Sequence, residues 1–234
     1  MKSIVIIPVY AEQFIEIVLK NFRKGLVDEI CLVVDAPDRK ILNTISKSKP
    51  NIPTKIIKNK HRRGIGYAIK QGYKYALSKG FDTIVVMAGN GKDDPSEIPR
   101  LLKKISEGYD YVQGSRFMQG GKSFNLPLGR YILMKLLTKA WHSTGFKGTD
   151  VMNGFRAYKA GLLKDSHIDI NQKWLDGYSL EYYIHYKAIS LGYKVTEVPV
   201  SKTYRTKTNY SKVSHRQWGQ IVWPLVMLKL GMKN

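Results

Sequence analysis

A single cysteine stands in the 234 residues of this chain. Because Cys31 lies inside the apolar run EICLVV, neither a disulfide framework nor a cysteine-based zinc site is available, and a reducing compartment suits the chain. Acidic residues are scarce. Against 39 Lys plus Arg there are 18 Asp plus Glu, a formal net charge of +21 that favours anionic partners such as phosphates and acidic lipids. Long apolar runs are also missing. The N-terminal MKSIVIIPVY is too short for a secretory segment or a membrane span, and IVWPLVML at 221–228 falls short of the ~18 apolar residues a bilayer helix needs. The expectation is a chain that does not cross a membrane. No flexible linker, internal repeat or low-complexity block divides it, so one domain is expected. What is present excludes disorder: 15 Tyr, 7 Phe and 4 Trp accompany recurrent Val/Ile runs.

Up to about residue 115, short β-branched runs alternate with longer amphipathic ones, the pattern of a parallel sheet flanked by helices. SIVIIPV (3–9), EICLVVD (29–35), TKIIK (54–58), DTIVVM (82–87) and YDYVQG (109–114) read as strands, and 11–25, 38–48, 64–80 and 95–108 as helices. Within 64–80, Ile65, Ala68, Ile69, Tyr73, Ala76 and Leu77 recur at helical spacing and Gly80 ends the run. Asp94 before Pro95 marks an N-cap, with Glu97 as its capping-box partner. Beyond 115, a Gly-rich turn (MQGGKSFNLP) precedes a helix at 128–143, a strand at 153–159, a helix near 177–191 and a last strand at 193–200. Ligands of open α/β sheets bind beyond the carboxyl ends of the strands, so the segments after Pro8, Asp35, Lys58, Met87 and Gly114 are the candidate site.

Those segments read IIPVYAE (6–12), VVDAPD (33–38), HRRGIGYAIKQG (61–72), VVMAGNGKDDPSEIPRLL (85–102) and YVQGSRF (111–117). With DVMNGFRAY (150–158), YSLEYYIHYKAISLGYKVTEVPV (178–200) and YRTKTNYSKV (204–213), the chain resembles family 2 glycosyltransferases, in their dolichyl-phosphate mannose synthase-like branch. The resemblance implies a single α/β domain of the glycosyltransferase A type, a Rossmann-like mixed sheet flanked by helices. It spans residues 1–213, with a nucleotide-sugar half at 1–115, an acceptor half at 116–213, and an amphipathic C-terminal segment at 214–234. It also implies inverting transfer from a nucleotide-diphosphate sugar, GDP-mannose or a UDP-sugar, to a polyprenyl or dolichyl phosphate at the cytoplasmic membrane face. The alternative is a catalytically impaired relative that binds a nucleotide or a partner protein.

By the resemblance, Pro8, Tyr10, Glu12 and Asp35 line the nucleotide pocket, Ala36 stands where a second carboxylate is usual, and Arg63 and Gly64, with His61, Arg62 and Gly66, form its edge. Taken singly, Pro8 ends a strand, Glu12 opens a helix, Asp35 caps the next one, and Gly64 and Gly66 let a helix start pack on the sheet. After the fourth strand the family carries Asp-x-Asp to hold Mg²⁺ or Mn²⁺. Here Ala88, Gly89 and Asn90, which the resemblance places at the donor, offer one neutral carbonyl, a poor match for a hard cation; Mg²⁺ or Mn²⁺ stays an open but doubtful cofactor, with no ligating residue assigned. In its place Lys92, with Arg62 or Arg63, is expected to neutralise the leaving diphosphate.

A phosphate monoester is already ionised at neutral pH, so its binding calls for cations more than for a general base. The resemblance assigns the acceptor phosphate to Arg116, Arg130, Arg205 and Lys212, with Met134 in place of a frequent serine. Asp150 falls near the reacting centre and joins Lys92 and Arg116 as a catalytic candidate; its other reading is an ion pair with Arg156. Glu181 shares a helix face with Ile184, His185 and Ala188 and therefore needs a buried partner. His142, His167, His185 and His215 show no metal-ligand spacing.

Near the C-terminus, Trp218, Trp223, Leu225, Met227 and Leu228 stand among His215, Arg216, Lys229 and Lys233. Aromatics beside cations suit a membrane interface, which implies peripheral attachment or a small membrane subunit as partner. The other reading is a terminal helix packed on the chain's own core. Cations spread along the whole sequence, without a recognition motif, argue against a specific nucleic-acid partner.

Overall fold

The computed structural model describes residues 1–205 and 219–231. The continuous apolar run SIVIIPV forms β1 (Ser3–Val9), every residue of which is buried, as a strand covered on both faces requires. It pairs in parallel with β2 (Glu29–Asp35) and with β4 (Thr83–Val86), while β3 (Thr54–Asn59) pairs with the far side of β2. Past β5 (Tyr111–Ser115) and β6 (Lys122–Phe124), β7 (Arg156–Lys159) inserts antiparallel between β4 and β5, and β8 (Val195–Pro199) closes the edge. The resulting seven-stranded mixed sheet has the order β3-β2-β1-β4-β7-β5-β8. It is the mixed α/β sheet that the sequence implies.

Alternation along β1 divides the core in two. Ile4 and Ile6 pack with Ala68, Ile69 and Tyr73 of α3 (Ile65–Ser78) and with Leu180, Tyr183 and Ile184 of α6 (Ser179–Ser190). Val5 and Ile7 face Ile15 and Leu19 of α1 (Ile15–Lys20), Ile45 of α2 (Arg39–Lys47) and Leu101 of α4 (Ile98–Ser106). The described residues also form α5 (Leu128–Trp141) and α7 (Gly219–Lys229). Leu228 of α7 joins the core, and the Tyr186 hydroxyl donates to its carbonyl at 3.2 Å. Among the described residues, no helix is long and apolar enough to cross a membrane.

Several boundaries differ from the sequence reading for local reasons. The helix expected over 11–25 contracts to Ile15–Lys20, and at its front Ala11 adopts a left-handed backbone (φ 46°) that no α-helix accepts. Asp38, not Asp35, caps α2, accepting from the Ile41 amide at 2.7 Å. Asp94 accepts from the Ser96 amide as expected, but Glu97 turns away from it and accepts from the Ser201 amide at 2.8 Å. The strand expected at 153 begins at Arg156, since the Asn153 carboxamide oxygen accepts from the Phe155 amide and holds a turn there. A small second sheet was not legible in the sequence: β9 (Ser201–Thr203) continues past β8 and pairs in parallel with β6.

Candidate active site

The carboxyl ends of β1 and β2 open one cavity lined by Pro8, Val9, Tyr10, Glu12, Asp35, Arg62, Ile65, Ala68 and Tyr178. Thus Pro8, Tyr10, Glu12 and Asp35 are brought together. Asp35 is buried and accepts from the Asn59 side-chain amide at 2.8 Å. Ala11 and Ala36, just past the two strands, have φ values of 46° and 45°, a conformation that costs roughly 1–2 kcal/mol each and turns the chain sharply at the rim. The Arg62 guanidinium lies 4.4 Å from the Tyr10 ring centroid. Arg63 instead covers the Tyr67 ring at 3.9 Å and lines an adjoining cavity of about 400 Å³ with Gly64, Trp174 and Asp176.

Gly64 and Gly66 pack on the 173–177 turn rather than on the sheet. A Cβ at Gly64 would strike the Asp176 carbonyl, and one at Gly66 the carbonyls of Leu175 and Gly177. Gly72 is the glycine of α3 that meets the sheet, at Ile6. Lys70 pairs with Asp176 and donates to the Gln172 carbonyl at 3.2 Å, which fastens the turn to α3.

Beyond β4 the chain runs through Ala88, Gly89 and Asn90 to Lys92. Asn90 Oδ1 accepts from the Lys92 amide at 3.2 Å, and the Ala88 amide donates to Asp93 Oδ2 at 3.3 Å. Asp93 is buried and pairs at 2.8 Å with Lys202 Nζ, which also donates to Asn153 Oδ1 at 2.8 Å. These contacts test whether a divalent cation fits. Ala88 has no ligand atom, the Asn90 oxygen serves its own loop, and Asp93 is neutralised by a lysine. Such a donor set does not suit Mg²⁺ or Mn²⁺, and no group of three or more His, Cys, Asp or Glu among the described residues could hold a metal.

Strand β9 then places Tyr204. The Thr203 amide donates to the Lys92 carbonyl at 2.9 Å and the Tyr204 amide to the Phe124 carbonyl at 3.0 Å, which straps the 88–93 loop to β6. Around the Tyr204 ring stand Lys92 Nζ at 5.1 Å and the Arg130 guanidinium at 5.6 Å, while Arg116 Nη1 donates to its hydroxyl at 2.6 Å. Arg205 Nε donates to the Gly91 carbonyl at 3.0 Å. Burial, reinforced by Lys202 and Arg130 and opposed by Asp93 and Glu12, brings the Lys92 ammonium down to about 8. Like charges crowded in a half-buried place favour the arrival of an anion.

Arg116 and Asp150 form the floor. Arg116 Nε and Nη2 donate to the two Asp150 oxygens at 2.6 Å each, with both side chains buried. Burial opposes the guanidinium charge, but the facing carboxylate outweighs it and holds the group above its already high ordinary value. Glu197 accepts from the amides of Thr149 (2.7 Å) and Asp150 (3.1 Å), fixing the loop that carries the acid. The pairing of Asp150 with Arg156 does not form. Antiparallel β7 sends Arg156 toward α6, where it meets Glu181 at 3.4 Å and the Tyr111 hydroxyl at 2.8 Å. Glu181 thereby finds its buried partner; burial raises its carboxyl, with Arg156 and Lys202 opposing. Lys212 lies outside the described residues. Tyr204 and Lys202 were not singled out in the sequence, although a lysine inside the apolar VPVSKTY is itself a signal of a buried charge.

The mixed α/β sheet thus carries at its carboxyl edge the cavity of Pro8, Tyr10 and Asp35 and the cations around Tyr204. The structure of glucosyl-3-phosphoglycerate synthase from Mycobacterium tuberculosis, solved with Mn²⁺, UDP and glucosyl-3-phosphoglycerate, superposes with a TM-score of 0.69 over 100% of this chain and 81% of that one, at 16% identity. The chain belongs to glycosyl transferase family 2, whose model matches residues 4–166, and it is a glycosyltransferase. It is similar to the undecaprenyl-phosphate mannosyltransferase of Micrococcus luteus, 28% identical over 232 residues that cover 95% of this chain and 91% of the relative. It is also similar to the polyprenol monophosphomannose synthase of Mycolicibacterium smegmatis, 29% identical over 219 residues, 91% of this chain and 81% of that protein.

Proposed function

We propose that this glycosyltransferase moves a sugar from a nucleotide-diphosphate sugar to a polyprenyl phosphate with inversion, using side-chain cations where a metal would otherwise serve. The observation that carries the reading is the convergence of Lys92, Arg130 and Arg116 on Tyr204, beside the cavity of Pro8, Tyr10 and Asp35. Residues 1–115 hold the donor and residues 116–213 the acceptor. The acceptor phosphate oxygen forms its bond to the anomeric carbon as the bond to the nucleoside diphosphate breaks, and the diphosphate leaves with the electron pair. A phosphate with its second pKa near ~6 needs no base for this step. Lys92, with Arg62, offsets charge growing on the diphosphate; Arg130 and Arg205 hold the acceptor phosphate. Arg116 and Asp150, both buried, act as positioning residues that fix Tyr204 beneath these cations. Because Ala88 and Asn90 do not fit a divalent ion, no step passes through one.

The reading places the protein peripherally at the cytoplasmic membrane face, where sugar nucleotides and lipid phosphate meet, alone or with a small membrane subunit. Transfer from a panel of GDP- and UDP-sugars to a short, water-soluble polyprenyl phosphate, in EDTA and in Mn²⁺, tests it. Product in EDTA that vanishes in Lys92→Met is the expected result. Strict dependence on Mn²⁺ overturns the cation-only chemistry. Nucleotide-sugar binding without transfer points to the second reading, an impaired relative, which the loss of both carboxylates at Ala88 and Asn90 favours.

A further inference from the structure

Helix α5 breaks the usual rule for a surface helix. Met134, Thr138 and Trp141 face inward, and the Trp141 ring stacks on Tyr182 with centroids 5.2 Å apart. The opposite side ought to be polar. Instead Leu128 (73% exposed), Ile132 (49%) and Leu136 (61%) recur every fourth residue, flanked by Tyr131 (39%) and Leu133 (37%). The stripe from Leu128 to Leu136 runs ~12 Å along the helix, and Phe124, on the strand β6 that precedes α5, is also 48% exposed. A continuous apolar stripe of this kind marks a surface that is covered in use.

Charge identifies the cover. The sequence of α5, LGRYILMKLLTKAW, carries Arg130, Lys135 and Lys139 and no acid. Lys135 Nζ sits 4.8 Å from the Phe117 ring and 5.8 Å from the Tyr131 ring, a cation beside aromatics at the edge of the apolar stripe. On a chain of net charge +21, that arrangement complements an anionic lipid surface rather than a second copy of the same basic protein. Position agrees with charge. Arg130, in the first turn, also belongs to the Tyr204 cluster, so the stripe starts where a lipid phosphate would be held.

We propose that α5 seats the protein on an anionic bilayer, with Leu128, Ile132 and Leu136 among the upper acyl chains and Lys135 and Lys139 at the headgroups. The choice of this face deepens the lipid-acceptor reading, but the seating itself is measurable without any substrate. It moves the main membrane contact from the C-terminal segment to a helix in the acceptor half. Exposed Trp223 on α7 provides the comparison for the C-terminal contact.

The experiment is flotation of the full chain with equimolar phosphatidylglycerol–phosphatidylcholine vesicles and with pure phosphatidylcholine vesicles. Wild type is expected to float with the anionic vesicles and to partition at least tenfold less with the neutral ones. The double variant Ile132→Glu/Leu136→Glu is expected to lose at least tenfold in anionic partition with an unchanged melting midpoint, whereas Ile17→Glu on α1 behaves as wild type. Flotation of the double variant equal to wild type, or loss of flotation in Trp223→Ser instead, overturns the proposal. So does a wild-type dimer that the double variant turns into a monomer while flotation stays the same, since the face then belongs to a second copy. A chain that transfers sugar to a short soluble acceptor but never floats sinks the seating alone. One that floats through α5 and transfers nothing leaves the seating intact and sinks the proposed function.

Discussion

Lys92 and Tyr204 are far apart in sequence and meet with the ammonium 5.1 Å from the ring centroid. The Thr203 amide bond to the Lys92 carbonyl sets that distance, so the strap after β8 and the loop after β4 form one unit. Through the Tyr204 hydroxyl the same unit reaches Arg116 and Asp150.

Lys92 is charged below a pH of about 8 and neutral above it in the free protein. A bound diphosphate raises that value by its own negative charge. For the donor, kcat/KM is therefore expected to fall above about pH 8 while kcat stays flatter to higher pH, because kcat/KM reports the free enzyme. Lys92→Met should remove this limb and lower kcat/KM by about 10²–10³. A pH profile of the variant that keeps the same alkaline limb rules Lys92 out as its source.

EDTA is expected to leave transfer largely unchanged, and the triple change Ala88→Asp/Asn90→Asp/Lys92→Gln to make transfer Mn²⁺-dependent. The substitutions install anionic oxygens where Ala88 now has no ligand atom and the Asn90 amide oxygen already accepts from its own loop. Isothermal titration with Mn²⁺ reads the result: heat from the triple variant and none from wild type.

Arg116 and Asp150 are a buried ion pair, and removing one partner strands the other charge away from water. Arg116→Met should cost about 3–5 kcal/mol in urea unfolding. Adding Asp150→Leu should restore part of that loss, since both charges are then gone. Additive losses in the double variant would falsify the pairing as the stabilising element.

Gly66→Ala places a methyl against the Leu175 and Gly177 carbonyls. The 173–177 turn must shift, and with it Tyr178, which lines the donor cavity. A rise in KM for the sugar nucleotide and about 1–3 kcal/mol of destabilisation are expected. Gly129→Ala on α5 meets no atom within 4 Å and should stabilise slightly, which makes it the matched control.

His185 is fully buried between the rings of Tyr111 and Phe146, each 4.7 Å away, and neither ring nitrogen has a hydrogen-bond partner among the described residues. Burial, with Arg156 adding to it, holds its pKa well below the ordinary value of 6.5. The unfolded chain thus takes up a proton below pH 6.5 that the folded one refuses, so this group destabilises the fold as pH falls from there toward the folded pKa. His185→Phe should gain on wild type by up to about 1.4 kcal/mol per pH unit in that window, and show no such trend above it. Parallel stability–pH curves for the two proteins would exclude the effect.

The amino-acid order alone dictated the elements whose signal is local. β1 and β2 have their expected bounds because seven-residue β-branched runs, closed by Pro8–Val9 and Asp35, admit little else. The family was equally legible, from the motifs at the strand ends. What tertiary structure decided was partnership. Asp150 chose Arg116 over Arg156, nearer in sequence, because β7 runs antiparallel, and Glu97 divides its oxygens between Arg100 on its own helix and the Ser201 amide because β9 passes beside it. Tyr204 became the centre of the cations only when a strap of backbone bonds brought residues 92, 116, 130 and 204 together. The outward stripe of α5 stayed hidden because a helix with apolar residues on opposite sides looks like a core helix until the fold shows which side has no neighbours. Local sequence sets backbone periodicity through short-range sterics, whereas charge pairing and exposure depend on distances that only the assembled sheet defines.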